Sequence, residues 1–138
     1  MFTIATWNIN SVRLREALVA RFLGEEAPDI LCLQEIKSPV DKIPLDAFRA
    51  LGYRYIVARG QKGYNGVAIL SRVGLDDVEP GFLEQPQFGE VPAVEARALG
   101  ATCGGVRVWS LYVPHGRALD NPLAPYELVK TMRASVLA

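Results

Sequence analysis

The apolar residues of this chain fall into short runs separated by polar stretches, a pattern typical of strands and short helices. One apolar run, residues 29–34, is entered through Pro28 and left through Ser38 and Pro39. It is too short for a helix, so it predicts a central strand that is buried on both faces. A second run, residues 2–7, predicts another strand.

Two helices are predicted among the early strands. Ser11 is a suitable N-cap for the first, whose apolar positions recur every four residues until Gly24, at Leu14, Leu18 and Phe22. Together with the two strands it makes a strand–helix–strand unit. Pro44 occupies a first helical position and opens a second, shorter helix that Gly52 closes.

Antiparallel hairpins are predicted further along the chain. A turn at residues 59–65 contains glycine and lies between predicted strands at 53–58 and 66–71. A second pair, 94–102 and 106–113, is joined by Gly104-Gly105, a strong hairpin signal.

The pattern changes in two further stretches. Residues 79–92 contain three prolines and two glycines and predict an irregular loop, whereas residues 126–138 have a helical pattern. The predicted fold class is therefore α/β (α+β), with one mixed, mainly antiparallel sheet of about six strands and helices on its outer face. We expect residues 1–138 to form a single domain.

Composition narrows the class of protein. The chain has 138 residues, half of them apolar, and fifteen basic residues balance fifteen acidic ones, so no net positive field points to nucleic acid. Cys32 and Cys103 are not spaced as a Cys-x-x-Cys motif and are expected to be buried thiols. There is no leader-like segment and no apolar run of eighteen residues, so we expect a cytoplasmic protein without membrane contact.

Glu35, at the end of the predicted central strand, is the first candidate for chemistry. It could merely cap a loop or pair with Lys37. It could instead bind a hard cation, because Mg²⁺ accepts a carboxylate oxygen, an amide oxygen and waters while it binds a phosphate. Asn8 ends the other early strand and could supply the amide, although asparagines at strand ends usually satisfy turns.

Other candidates lie in the later turns. Residues 60–66 do not match a phosphate-binding Gly-x4-Gly-Lys-Ser/Thr loop, but Lys62 and Tyr64 could face a polyanion, with Tyr64 as a stacking surface. Tyr112 is either a core residue or a site residue whose hydroxyl reaches a phosphate. His115 is the sole histidine, and a single loop histidine is more often solvated than catalytic.

Four ordered motifs together resemble the exonuclease III family of apurinic/apyrimidinic endonucleases, within the endonuclease/exonuclease/phosphatase superfamily. They are Thr6-Trp-Asn-Ile-Asn-Ser-Val-Arg13, Leu31-Cys-Leu-Gln-Glu-Ile-Lys37, Gly60-Gln-Lys-Gly-Tyr-Asn-Gly-Val-Ala-Ile-Leu-Ser71 and Tyr112-Val-Pro-His-Gly116. The resemblance extends from Met1 to about Met132. It implies a Mg²⁺-dependent phosphodiesterase, with Mn²⁺ as an alternative metal, that cleaves DNA beside abasic sites and trims 3′ ends.

The resemblance also implies roles for individual residues. Glu35 would ligate the metal, Asn8 would orient that glutamate and the attacked phosphate, and Tyr112 would lie near the scissile group. DNA contacts or metal-site surroundings would come from Asn10, Arg13, Lys37, Tyr64 and Asn65. The motif after Tyr112 usually reads Val-Pro-Asn-Gly, and His115 stands here in place of the asparagine, where its imidazole could still donate a hydrogen bond.

The resemblance covers only the family's first half. The Gly-Asp-x-Asn segment and the closing Asp-His pair have no counterpart in this sequence. We therefore expect half of a four-layer α/β/β/α sandwich that is inactive by itself and that self-associates through an uncovered sheet face. The alternatives are a non-catalytic remnant and a superfamily phosphodiesterase that acts on a phospholipid or inositol phosphate.

Overall fold

The computed structural model describes residues 2–81 and 95–113. Its strands and helices are β1 (Ile4–Asn8), α1 (Glu16–Glu26), β2 (Ile30–Gln34), α2 (Leu45–Arg49), β3 (Tyr55–Arg59), β4 (Val67–Ser71), β5 (Asp76–Glu79), β6 (Ala98–Cys103) and β7 (Val106–Leu111), with a 3₁₀ turn at Val40–Lys42. The predicted terminal helix, His115 and most of the predicted 79–92 loop lie outside the described residues.

Four strands form the first sheet in the order β1-β2-β4-β3. β1 and β2 are parallel, while β4 is antiparallel to both β2 and β3. Every residue of β2 and β4 is buried, as expected of central strands whose residues are mostly apolar. The prediction of a buried central strand at 29–34, and of a hairpin across the 59–65 turn, is confirmed.

The α/β class is confirmed, but the prediction of one sheet is wrong, because β5, β6 and β7 form a separate antiparallel sheet in that order. The reason is that β2 and β4 are apolar on both sides and need a covering layer on each. One side packs on the second sheet and contributes Ile30, Cys32, Val67 and Ile69 to a shared core with Leu99, Ala101 and Val108. The other side packs on the helices, where Leu31, Leu33 and Leu70 meet Val19, Leu23, Phe48 and Tyr53.

Buried polar groups also join the two sheets. The Gln34 side-chain amide donates to the Thr6 hydroxyl at 3.0 Å and to the Ser110 hydroxyl at 3.2 Å. Ser110 in turn donates to the Leu33 carbonyl at 2.8 Å. Because Gln34 and Ser110 are buried, the hydrogen bonds that link them fix how β7 lies over β2.

The first helix departs from its prediction. It begins at Glu16, because Ser11 instead accepts the Leu14 amide within a preceding turn, and it ends at Glu26, followed by Ala27 in the left-handed conformation. Leu14 is 82% exposed and Leu18 is 52% exposed, whereas Val19 and Leu23 are buried. The four-residue period was therefore correct, and Phe22 packs against the core as predicted, but Leu14 and Leu18 do not, because the buried face is centred on Val19 and Leu23.

Part of the exposed apolar surface lies at an edge of the first sheet, beside β1. The sequence predicts an uncovered sheet face, but Leu33 and Ile69 of the central strands are buried by the helices and the second sheet respectively. Instead, Ile4 is 50% exposed, and it lines with Leu18 and Phe22 a groove of about 530 Å³ between β1 and α1. Among the described residues, β1 pairs only with β2.

Cys32 and Cys103 are free, buried thiols, as predicted. Neither helix within residues 2–81 and 95–113 has the length and apolar character needed to cross a membrane.

Candidate active site

Polar residues collect where β1 and β2 end side by side. Asn8 is in register with Gln34, the residue before Glu35. The pairing continues past the strands, since the Ile9 amide donates to the Gln34 carbonyl at 3.0 Å and the Ser11 amide donates to the Glu35 carbonyl at 2.8 Å. The structure therefore brings Asn8 and Glu35 to one edge of the sheet, where open α/β folds bind ligands.

The same edge concentrates unfavourable backbone conformations. Seven non-glycine residues among those described have a positive φ, and five of them lie at this edge: Asn10, Ser11, Glu35, Lys37 and Asn65, with φ between 47° and 85°. Left-handed conformations cost non-glycine residues about 1–2 kcal/mol each and persist where the surroundings impose them. Such a concentration is typical of a functional site.

The turn before β4 holds this edge in place. The Ile36 amide donates to the Gly66 carbonyl at 3.2 Å, and the Lys37 amide donates to the Asn65 carbonyl at 2.9 Å. A Cβ atom at Gly66 would lie 2.4 Å from Cγ1 of Ile36, so only glycine allows this close approach. Because Ile36 follows Glu35, the turn helps to determine where the carboxylate lies.

Tyr112 lies beside Glu35. Burial raises the pKa of the Tyr112 hydroxyl, and the charge of Glu35 and a hydrogen bond to it raise the pKa further, while Arg97 acts in the opposite direction. The Tyr112 amide donates to the Arg97 carbonyl at 2.8 Å, which fixes the backbone of the tyrosine. Tyr112, which the sequence left open between core residue and site residue, is half-buried and contacts the candidate carboxylate.

A part-buried ion pair supports Tyr112 from the other side. Nε of Arg97 donates to Oε1 of Glu95 at 2.9 Å, and the Asn65 side-chain amide donates to Oε2 of Glu95 at 2.8 Å. The guanidinium of Arg97 lies over the Tyr112 ring, with Cζ 5.0 Å from the ring centroid. The amide of Asn65, expected near DNA or the metal site, is therefore bound to Glu95.

Arg13 and Lys37 lie next to this edge and, with Tyr64, form what we call the rim of the site. Nζ of Lys37 donates to Oδ1 of Asn10 at 2.5 Å. A cavity of about 480 Å³ is lined by Arg13, Lys37 and Lys42. Tyr64 is 56% exposed on the turn before β4, so its ring is accessible to a partner.

The donor atoms at this edge fit a hard cation. No group of three or more histidine, cysteine or carboxylate side chains able to hold a metal occurs in the described part of the chain. Mg²⁺ does not need such a cage, because it is usually bound through one or two carboxylates and completes its shell with waters and substrate phosphate. Glu35 and Asn8 provide one carboxylate and one amide oxygen of that kind.

Sequence reasoning missed Glu95 and Arg97. The available signal was the alternation Glu-Ala-Arg-Ala-Leu at the start of a predicted strand, which places two charges on one side of a segment whose other residues are apolar. Two charges on one side of a buried strand indicate an ion pair, but they do not identify its neighbours.

Comparisons with known proteins agree on one family. The model of the endonuclease/exonuclease/phosphatase family matches residues 5–137. Exodeoxyribonuclease III of Haemophilus influenzae is 34% identical over 113 residues, which cover 82% of this chain and 42% of that protein. Recombination repair protein 1 of Drosophila melanogaster is 33% identical over 122 residues, which cover 86% of this chain and 17% of that protein.

Solved structures match over nearly the whole chain. One is a 3′ phosphatase from Neisseria, NExo, bound to a product DNA hairpin. It has a TM-score of 0.85 with 38% identity, and the match covers 99% of this chain and 50% of the NExo chain. An AP endonuclease from Archaeoglobus fulgidus has a TM-score of 0.83 with 36% identity, over 99% of this chain and 49% of its own. The chain thus spans about half the length of these solved relatives.

Proposed function

Because this chain belongs to the endonuclease/exonuclease/phosphatase family and spans about half the length of its exonuclease III relatives, we propose that it carries the metal-binding half of a DNA-repair phosphodiesterase. The proposed substrates are abasic sites and 3′ ends in DNA. The convergence of Asn8, Glu35 and Tyr112 at one sheet edge is the observation that supports this proposal most directly.

Each residue at the edge has a proposed role. Glu35 and Asn8 would hold Mg²⁺ or Mn²⁺, which when bound supplies charge stabilisation to the phosphate oxygens. Tyr112 would donate its hydroxyl proton as a hydrogen bond to a phosphate oxygen, because a tyrosine hydroxyl is protonated at neutral pH.

DNA is favoured over a phospholipid or inositol phosphate for two reasons. The rim combines the exposed Tyr64 ring with Arg13 and Lys37, and a stacking ring together with phosphate-binding cations suits nucleic acid. The similar Neisseria structure was determined with bound DNA.

Binding of an abasic duplex, measured as a function of salt concentration, tests this proposal. If phosphate contacts dominate, log Kd plotted against log salt will have a steep slope, and Arg13→Ala and Lys37→Ala will each flatten it by about 0.9. Arg21→Ala is the matched control, because Arg21 lies on α1 and pairs with Glu25 at 2.9 Å, away from the rim. A salt-independent affinity, or equal flattening by Arg21→Ala, would contradict the proposal.

We expect no Mg²⁺-dependent incision of the abasic duplex by the 138-residue chain alone. Catalytic groups that act as a unit are not additive, and loss of a base or its orienting partner typically costs a factor of about 10² to 10⁴. The family's Gly-Asp-x-Asn and Asp-His segments do not occur in this sequence. Incision by purified protein that disappears in Glu35→Gln would show that the chain needs no further groups.

A further inference from the structure

Arg97 carries a buried hydrogen-bond donor that nothing in the described structure uses. The side chain belongs to a residue that is only 9% exposed. Its Nε is bound to Glu95, yet its Nη1 is buried and has no hydrogen-bond partner within residues 2–81 and 95–113. Buried polar atoms without partners are uncommon in folded proteins, and a buried charged donor is among the more costly.

The contacts of Arg97 also restrict how its side chain can relax. The ion pair with Glu95 fixes one side of the guanidinium, and the Asn65 amide holds the other oxygen of Glu95. The guanidinium also lies over the Tyr112 ring and forms a side-chain hydrogen bond with Tyr112. Arg97 is therefore held in place while its Nη1 has no partner among the described residues. A donor that is fixed in position and unpaired costs stability in the fold but is already oriented to bind a ligand.

The position of this donor indicates the chemistry of the ligand. Arg97 contacts Tyr112, and the Tyr112 hydroxyl contacts Glu35, so the guanidinium lies within the same cluster as the candidate metal carboxylate. From this arrangement we infer that Arg97 is a phosphate-binding residue, whose Nη1–H donates to an anionic oxygen of a phosphate ester. The inference rests on the proposed function and adds to it a substrate-contacting residue.

A phosphate group suits the site better than a carboxylate. Its several oxygens can accept from the guanidinium while another remains available to Tyr112 or to a metal ion at Glu35. The carboxylates of Glu35 and Glu95 would repel a bare anion, so we expect phosphate binding at Arg97 to strengthen when Mg²⁺ is present.

The chain provides a matched control arginine. Arg107 also lies over an aromatic ring, with Cζ 5.2 Å from the Trp109 centroid, and it also pairs with a carboxylate, that of Glu79. It is an exposed residue on β7 and is not part of the Glu35 cluster. Replacing Arg107 therefore removes the same kinds of contact without touching the proposed site.

The experiment follows the arginine side chains directly by NMR. Inorganic phosphate is titrated, with and without Mg²⁺, into protein labelled with ¹⁵N at arginine, and the Nε–Hε resonances are recorded. We expect the Arg97 resonance to shift saturably and at lower phosphate concentration with Mg²⁺, while the Arg107 resonance does not move. Arg97→Met and Arg97→Lys should each weaken phosphate binding about tenfold or more, and Arg107→Met should leave it unchanged.

The outcomes separate this inference from the proposed function. An Arg97 resonance that stays fixed, or equal phosphate affinity in wild type and the folded Arg97→Lys protein, would overturn the inference. Thermal unfolding identifies a variant that fails to fold, and the wild-type titration remains decisive in that case. If Arg97 binds phosphate but the chain has no salt-dependent affinity for DNA, the nuclease proposal fails and the phosphate site stands.

Discussion

Glu35 combines a strained backbone with a carboxylate that contacts a tyrosine hydroxyl at the edge of the sheet. If it ligates a divalent cation, Glu35→Gln removes the charge and keeps the shape. Calorimetric titration with Mg²⁺ or Mn²⁺ should then show at least a tenfold weaker affinity, because one charge-assisted ligand is lost. Glu16→Gln is the control, since Glu16 is an exposed carboxylate on the rim of the neighbouring cavity. Equal metal affinity in wild type and Glu35→Gln would show that Glu35 is not a metal ligand.

Cys32 should make the stability of the protein sensitive to alkali. Burial raises the pKa of its thiol to about 12, with a smaller contribution from Cys103. Between pH 9 and 12 the thiol loses its proton in the unfolded chain but keeps it in the folded chain. The free energy of unfolding therefore falls as pH rises, at most by about 1.4 kcal/mol per pH unit for one proton. Urea unfolding between pH 8 and 10.5 measures that slope, and Cys32→Ala should reduce it. An unchanged slope in Cys32→Ala would assign the loss to other groups, such as Tyr53, whose pKa burial also raises.

At the scale of the elements, the turn before β4 depends on Gly66. Alanine at Gly63 or Gly66 must adopt a positive φ, which costs about 1 kcal/mol in either case. Only at Gly66 would the new Cβ collide with Ile36, so Gly66→Ala should lower the free energy of unfolding by about 1–3 kcal/mol more than Gly63→Ala. Chemical denaturation of the two variants measures this difference. Equal losses would show that Ile36 can move away from the turn.

Buried strands were easier to predict from the sequence than exposed ones. The strands β2 and β4 were predicted because their burial on both faces leaves near-continuous apolar runs in the sequence. β5 was missed because an exposed edge strand of sequence Asp-Asp-Val-Glu carries no apolar signal. The apolar face of α1 was misplaced because Leu18 borders a groove, so it repeats with the helical period although it is not in the core.

The candidate site was predictable in part for a similar reason. Asn8 and Glu35 each follow a recognisable strand, and parallel neighbours end at the same edge. The contact between Asn65 and Glu95 spans thirty residues, and the position of Arg97 beside Tyr112 depends on the pairing of β6 with β7. Local sequence patterns do not predict such long-range contacts.

At the scale of the whole molecule, the exposed groove between β1 and α1 should make the isolated chain self-associate. Within residues 2–81 and 95–113, β1 pairs with β2 alone, and Ile4 and Leu18 add apolar surface beside its other edge. Sedimentation velocity should show a species larger than a monomer, and Leu18→Glu should shift it towards monomer. Leu14→Glu is the control, because Leu14 is 82% exposed but lies outside the groove. A monomeric wild type at high concentration would contradict this expectation.

The positive φ values at the sheet edge have a consequence for engineering this protein. Lys37 has φ 51°, a conformation that glycine adopts without penalty, so Lys37→Gly should relieve strain while it removes a cation from the rim. A screen that selects variants only for thermal stability would therefore collect glycines at Glu35 and Lys37. It would enrich robust proteins that have lost the groups proposed to bind metal and DNA.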